Sequence, residues 1–348
     1  MAETIRDCAV RVFEMPLKRP FVTSLGRKTH TVNAGVTLRL SGGASGYGEA
    51  STSLASAHLK PERLRASLES LGRWAKGRDA DQYRAVIEGA WKKDLPSPAA
   101  AAFECALLDA VAASSGLSLT RWFGGKLDRL ETDITLSAWE DPSMTRDAAR
   151  EAAREGFRIF KIKVGGDLKV NLARVRAARS ARPKAPLILD GNQGMTPASA
   201  LHLVEACLKE GADVRLLEQP LLKADIAKMP ALTRRCPVPI ALDESCQTPQ
   251  DAVLIVEAKA ATAINIKIAK SGLLRSLDIA AVARAAGLKL MIGCMTETGA
   301  GLSASVHFAL GTGFFEFVDL DSDHLLSGPQ KRRDWERTGP ELRLSCRT

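Results

Sequence analysis

The chain has 348 residues, a net charge of +9, 45% hydrophobic residues and 26% charged residues. That length points to two units, or to one large barrel with an addition, and the composition excludes a disordered chain. Lys and Arg are spread along the whole length with no basic block, which argues against nucleic-acid binding.

The N-terminal stretch MAETIRDCAVRVFEMPL has an early acid and no apolar h-region, so no signal peptide is expected. Within it, CAVRVFEMPL alternates apolar residues at 8, 10, 12 and 15. GVTLRLSG sets Val36, Leu38 and Leu40 against Thr37, Arg39 and Ser41. Both read as strands, the second half-buried. The glycine-rich GGASGYGEAS has room for a third, which makes a meander. From residue 61 the pattern turns helical: PERLRASLESLGRWA spaces Leu64, Leu68 and Leu71 along one face. SPAAAAFECALLDAVAASSG predicts another helix, with Ser97 as cap, Pro98 in the first turn and an end near Gly116. Residues 1–125 therefore form an α+β unit.

The texture then changes. Apolar runs ending in a charged or small residue recur: FRIFKIK to Lys163, APLILD to Asp190, DVRLLE to Glu218, PIALD to Asp243, TAINIK to Lys267, LKLMIG to Gly293 and FEFVD to Asp319. Their ends lie 24 to 28 residues apart, and one interval before Lys163 lies LETDITLSA, an eighth run. Continuous apolar runs suit strands buried on both faces. Helical stretches such as ASALHLVEACLKEG and LLRSLDIAAVARAAG fill the intervals. Eight such units close into a (β/α)8 barrel; an open doubly wound sheet usually carries a GxGxxG turn, which is missing here. The expected fold class is α/β, a modified (β/α)8 TIM barrel at 126–320 behind an N-terminal α+β capping domain, with a C-terminal segment at 321–348.

In such barrels the C-terminal strand ends form one mouth, where chemistry sits. Asp190, Glu218 and Asp243 end three consecutive strands, and three carboxylates at one mouth call for a hard cation such as Mg2+. The alternative is that each caps the helix that follows. Lys161 and Lys163 end the second strand on one face, and Lys267 ends the sixth, diametrically opposite. A like charge and partial burial are expected to lower one of the paired lysines toward neutrality, making Lys163 a base modulated by Lys161. Glu244 is expected either to pair with Lys267 or to cap a helix. Together these groups suit removal and return of a proton next to a metal-bound carboxylate, through an enediolate.

The motifs KIKVG, LDGNQG, LLEQP, ALDES, INIKIAKSGL and DLDSD together resemble the enolase superfamily, muconate-lactonizing-enzyme subgroup, over essentially the whole chain. The resemblance implies Lys163 and Lys267 as the acid/base pair and Asp190, Glu218 and Asp243 as Mg2+ ligands. Within the subgroup the chain is most similar to dipeptide epimerases of the L-Ala-D/L-Glu type, because VDLDSD puts Asp319 and Asp321 where those enzymes bind a substrate α-ammonium. It also implies Thr135, Lys161, Cys294 and Thr296 as substrate contacts, although Thr296 replaces an expected aliphatic residue. Arg27 and Lys28 fall near the place of a cation for an acidic side chain.

The implied function is a Mg2+-dependent dipeptide epimerase that inverts the α-carbon of the C-terminal residue. N-acylamino acid racemase or o-succinylbenzoate synthase remains the alternative within the subgroup, and a structural or binding protein of the same fold the alternative outside it. No run is apolar enough to span a membrane. Seven scattered cysteines, at 8, 105, 207, 236, 246, 294 and 346, suit reduced thiols in the cytoplasm. The expected partner is a small dipeptide, with neither nucleic acid nor membrane, and barrels of this type often form homo-oligomers.

Overall fold

The computed structural model describes residues 3–52, 54 and 59–345; Cys346 and the first two residues of the N-terminal stretch lie outside them. Strands β1 (Ile5–Thr23), β2 (Gly26–Leu40) and β3 (Ser45–Ser51) form the antiparallel meander expected from the alternation. β1 runs further than its visible alternation. A register shift between Pro16 and Phe21, in a stretch that also holds Pro20, breaks the period that would have shown it.

Helix α1 (Pro61–Ala75) buries Leu64, Leu68 and Leu71 as predicted, and α2 (Tyr83–Trp91) follows it. Helix α3 (Ser97–Ser114) starts one residue earlier than the sequence suggested: Pro96 is the cap position, no side chain caps it, and Ser97 is already helical. α3 is alanine-rich and buried on nearly all sides, so its backbone can lie close to β3. At Gly48 a Cβ would stand 1.9 Å from the Ala102 carbonyl oxygen, which only glycine tolerates.

The run LETDITLSA divides between two sheets. Its first part forms β4 (Arg129–Glu131) and its second β5 (Ile134–Leu136). β5 begins an eight-stranded parallel sheet that continues in chain order through β6 (Phe160–Lys163), β7 (Pro186–Asp190), β8 (Asp213–Glu218), β9 (Ile240–Leu242), β10 (Ala263–Lys267), β11 (Lys289–Gly293) and β12 (Phe317–Asp319). The two end strands meet: Asp133 N donates to Val318 O at 2.9 Å and Leu320 N to Thr132 Oγ1 at 2.8 Å. The sheet is the expected barrel.

Two-residue alternation sorts its side chains. Leu189, Leu217, Ile264 and Ile292 belong to the large core, which includes Ala178, Val204 and Ile279 of the surrounding helices. The opposite face builds a separate small core from Ile188, Leu216, Ala241, Ala263 and Met291, with Ile159 and Phe317 against it. Two residues further along the same face stand Lys161, Asp190, Glu218, Asp243, Asn265 and Asp319. The polar layer therefore rests on an apolar plug inside the barrel.

Strand β4 pairs with β14 (Glu341–Leu344), which pairs with β13 (Trp335–Thr338). The segment before them touches the front of the chain: Ser327 N donates to Pro16 O at 2.8 Å, and Arg333 pairs with Asp109 of α3 at 2.9 Å. Among the described residues no helix is long and apolar enough to cross a membrane.

Candidate active site

Lys161 is fully buried and is surrounded by carboxylates. Its Nζ lies 2.6 Å from Asp319, 2.7 Å from Glu218 and 3.1 Å from Asp190. Burial alone would push this ammonium down, but the charges of Asp319, Glu218 and Asp190 outweigh it and hold Lys161 well above the usual lysine range. Burial and the like-charged neighbour therefore do not bring Lys161 toward neutrality. Strand alternation showed which face the lysines share but not the three carboxylates facing them.

Lys163 Nζ donates to Asp190 Oδ2 at 2.6 Å. Across the barrel, Lys267 pairs with Asp243 Oδ2 at 2.8 Å, and Lys270 donates to Asp243 Oδ1 at 2.6 Å. Burial would lower Lys267, but Asp243 dominates and raises it above the ordinary range. Asp190 and Asp243 are held well below the usual carboxylate range: burial opposes this, and the lysines beside them outweigh it. The expected Glu244–Lys267 pair does not form; Lys267 turns to Asp243, and Glu244 Oε2 is buried without a hydrogen-bond partner. Burial and the charge of Asp243 push Glu244 up to about 8.

None of the three strand-end carboxylates caps the next helix. Thr196 caps Pro197–Lys209 and Thr248 caps Pro249–Ala258, each in a capping box, while the helix after β8 has no side-chain cap. The turns after β7 and β8 instead hold Asn192, Gln193 and Gln219 at positive φ, of 38°, 68° and 33°. Such left-handed residues cost roughly 1–3 kcal/mol each and persist where the surroundings over-determine them. Gln219 shows how: its Oε1 accepts from Asp243 N at 2.9 Å and its Nε2 donates to Ser245 Oγ at 2.8 Å. That amide braces the end of β8 against the turn after β9.

A cavity of about 490 Å3 opens above this layer, a size suited to a small molecule. From the barrel it is lined by Thr135, Lys163, Asp243, Lys267, Cys294, Thr296, Asp319 and Asp321. Lys161, Asp190 and Glu218 lie beneath that lining, without exposure. Thr135 N donates to Asp321 Oδ2 at 2.6 Å, and Thr135 Oγ1 to Asp319 Oδ1 at 3.3 Å. Cys294 Sγ lies 3.9 Å from Asp321 Oδ1. Burial and the Asp319 charge raise Asp321 to about 6, whereas Asp319 is lowered: Lys161 and Lys267 overcome its burial.

The β1–β2 hairpin supplies the opposite wall through Phe21, Thr23, Leu25 and Lys28. Its tip is fastened to the barrel where Ser24 Oγ donates to Asn192 O at 2.6 Å. A Cβ on Gly194 would lie 2.5 Å from Ser24 Cβ, so that glycine admits the tip. Arg27 is exposed and does not line the cavity; Lys28 does, its Nζ donating to Thr52 O at 3.2 Å. Burial lowers Lys28 to about 8, and among the described residues no carboxylate pairs with it. The loop after β11 is held from the front unit: Asn33 Nδ2 and Ser51 Oγ both donate to Thr296 O at 2.9 Å, and Glu49 accepts from Thr298 N at 2.9 Å. The main chain of Thr296 is thus a fixed point.

Several polar residues of the site escaped the sequence reading. Asn265 donates to Glu218 Oε1 at 2.7 Å and was findable, two residues before Lys267 on the same face. Lys270 lies in the short helix Ile268–Ser271 beyond the strand, where two-residue alternation no longer applies. Asp133 precedes β5 and has no periodic signal; it, Asp319 and Asp321 each place an oxygen within 4.8 Å of the others.

The Mg2+ implied by the motifs fits the Asp190, Glu218 and Asp243 set. The donors are all oxygen, and Glu218 Oε2 is buried with an ion-pair contact but no hydrogen bond aimed at it. Burial and the adjacent Asp190 raise Glu218, a strain that a cation relieves.

A parallel barrel with carboxylates on three adjacent strand ends and lysines on opposite strands defines a metal-assisted proton-transfer class. The model of the family described as Enolase C-terminal domain-like matches residues 144–343, and the chain belongs to that family. It is 35% identical to the L-Ala-D/L-Glu epimerase of Thermotoga maritima over 94% of each chain. Its fold superposes on the L-Ala-D/L-Glu epimerase from Bacillus subtilis in a substrate-liganded complex with a TM-score of 0.93 at 30% identity, over 98% of this chain and 96% of the other. A dipeptide epimerase from Enterococcus faecalis, complexed with Mg and the dipeptide L-Leu-L-Tyr, gives 0.92 at 30% identity over 98% and 97%.

Proposed function

We propose that the chain is a Mg2+-dependent dipeptide epimerase that inverts the α-carbon of the C-terminal residue. The observation that carries this reading is the convergence of Lys163 and Lys267, from opposite strands, on one cavity that also holds the Asp319–Asp321 pair. Its relatives, named as dipeptide epimerases over nearly their full length, support the same reading. Asp190, Glu218 and Asp243 would hold the ion, which supplies Lewis-acid stabilisation of charge developing on the substrate carboxylate.

The chain's own residues do the rest. One lysine, neutral, takes the α-proton from one face, and the other, charged, returns a proton to the opposite face; the roles exchange with the substrate's configuration. Asp319 and Asp321 receive the substrate ammonium, a need that the N-acylamino acid racemase and o-succinylbenzoate synthase readings lack. Lys28, half-buried in the far wall without a carboxylate partner among the described residues, supports an acidic second side chain such as Glu. In this reading residues 1–125 cap the mouth, 126–320 form the catalytic barrel and 321–348 return to the cap. The free thiols of Cys8, Cys105, Cys207, Cys236, Cys246 and Cys294 support a reducing compartment, the cytoplasm.

The test is a dipeptide library incubated with the protein in D2O and read by mass spectrometry. Deuterium is expected at the α-carbon of the C-terminal residue, strongest where that residue is acidic. Chelation should abolish the exchange and Mg2+ restore it. Exchange into N-acyl amino acids with none into any dipeptide would sink the reading.

A further inference from the structure

Asp133 has no part in the chemistry above. The residue is 1% exposed, and neither carboxyl oxygen has a hydrogen-bond partner. Its position is nonetheless fixed, because its backbone N–H is tied to Val318 O in β12 at 2.9 Å. Asp319 and Asp321 stand beside it, with one oxygen of each of the three within 4.8 Å of the others.

Those two neighbours already have donors. Asp319 accepts from Lys161 Nζ at 2.6 Å and from Thr135 Oγ1 at 3.3 Å, and Asp321 from Thr135 N at 2.6 Å. Among the described residues the one ammonium paired with them, Lys161 on Asp319, is shared with Asp190 and Glu218. An ionised Asp133 would sit buried, without donor or counter-ion, against two carboxylates, at a cost of several kcal/mol. A neutral carboxyl removes that cost and gains an O–H to give. Carboxylate oxygens of Asp319 and Asp321 lie within 4.8 Å of it, and an O–H bond to an ionised oxygen is among the strong kinds. Burial, with the charges of Asp319 and Asp321, pushes the Asp133 carboxyl well above its usual range, and its contact with Asp319 acts in the same direction. Asp133 does not line the cavity, so whatever it does passes through its neighbours.

We propose that Asp133 is a positioning residue: a neutral acid whose O–H is donated to Asp319, fixing the Asp319–Asp321 pair where an ammonium from the cavity meets both carboxylates. It also keeps a third negative charge out of the pair's surroundings, so that the pair offers one ammonium site rather than an unbalanced acidic cluster. The proposal rests on the ammonium-binding reading of Asp319 and Asp321.

Three measurements test it. Asp133→Asn is neutral, nearly isosteric and keeps a donor; its KM for the best dipeptide should stay within about threefold of wild type. Asp133→Ala removes the donor; its KM should rise about tenfold or more while kcat changes little. The infrared difference spectrum of wild type minus Asp133→Asn, at slightly alkaline pH, should show one protonated carboxyl, with the bands of other buried acids such as Glu49 cancelling. Wild-type KM in Asp133→Ala, equal KM increases in both variants, or no protonated carboxyl in the difference spectrum would each overturn the proposal. The spectrum needs no substrate, so it decides the state of Asp133 even if Asp133→Ala fails to fold. If wild type turns over no dipeptide, the epimerase reading has failed, and the spectrum still reports on Asp133 separately.

Discussion

Lys161 is a fully buried ammonium balanced by three carboxylates, whereas Lys163, two residues on, reaches the cavity wall. Removing Lys161 would leave Asp190, Glu218 and Asp319 facing one another, so its loss is a charge defect as much as a catalytic one. Lys163 and Lys267 can be tested more cleanly. Lys163→Ala and Lys267→Ala should each lower racemisation by about 100-fold to 10,000-fold, the usual worth of a positioned acid or base. Each variant should still exchange the α-proton of one stereoisomer in D2O, the isomer whose proton faces the surviving lysine. If either variant racemises at a near-wild-type rate, the two-lysine scheme is wrong. The strand-end residues were legible because each closes an apolar run. Asp133, inside the eighth run but closing none, and Lys270, on a helix, were not. The carboxylates around Lys161 were not legible because a strand's period names a face but not what stands opposite.

The element that matters most beyond the barrel is the β1–β2 hairpin. Its tip is fastened through the Ser24 hydroxyl, which donates to Asn192 O at 2.6 Å and to Gly191 O at 3.2 Å, and depends on the absence of a side chain at Gly194. Gly194→Ala would put a methyl group 2.5 Å from Ser24 Cβ, so the tip must move. We expect KM to rise about tenfold, with the α-proton exchange rate of bound substrate nearly unchanged. Equal losses in KM and in that rate would show that the barrel ends, not the tip, had been disturbed. The hairpin itself was visible as alternation in two segments, but the length of β1 was hidden by the register shift after Pro16. Its place over the mouth is a tertiary contact some 168 residues apart in sequence, which no local period encodes.

For the whole molecule, the regular interval of the apolar runs sufficed to identify a barrel, because each unit repeats the same strand, helix and loops. The docking of the front unit was not legible, because it depends on buried acids with no periodic mark. Glu104 of α3 accepts from Leu274 N at 2.7 Å and from Trp91 Nε1 at 2.6 Å, and so ties α3 to the helix Leu273–Ala285. Burial raises its carboxyl from 4.5 to about 7. The folded state then holds a proton that the unfolded chain releases, so stability falls as pH rises from about 4.5 to about 7. The loss is on the order of 3 kcal/mol. Glu104→Gln cannot ionise and should flatten this part of the stability–pH profile in urea titrations; an unchanged slope would mean that another group carries it.

The hairpin fastening also bears on how such a protein diversifies. The lysines proposed to move protons hang from strand ends deep in the barrel, whereas Phe21, Leu25 and Lys28 reach the cavity from a hairpin covalently remote from them. On the proposed reading, drift in that hairpin would alter which guest is admitted and leave the strand-end lysines intact. Selectivity is then a detachable trait: a lineage can sample new guests through a few codons without putting the reaction itself at risk.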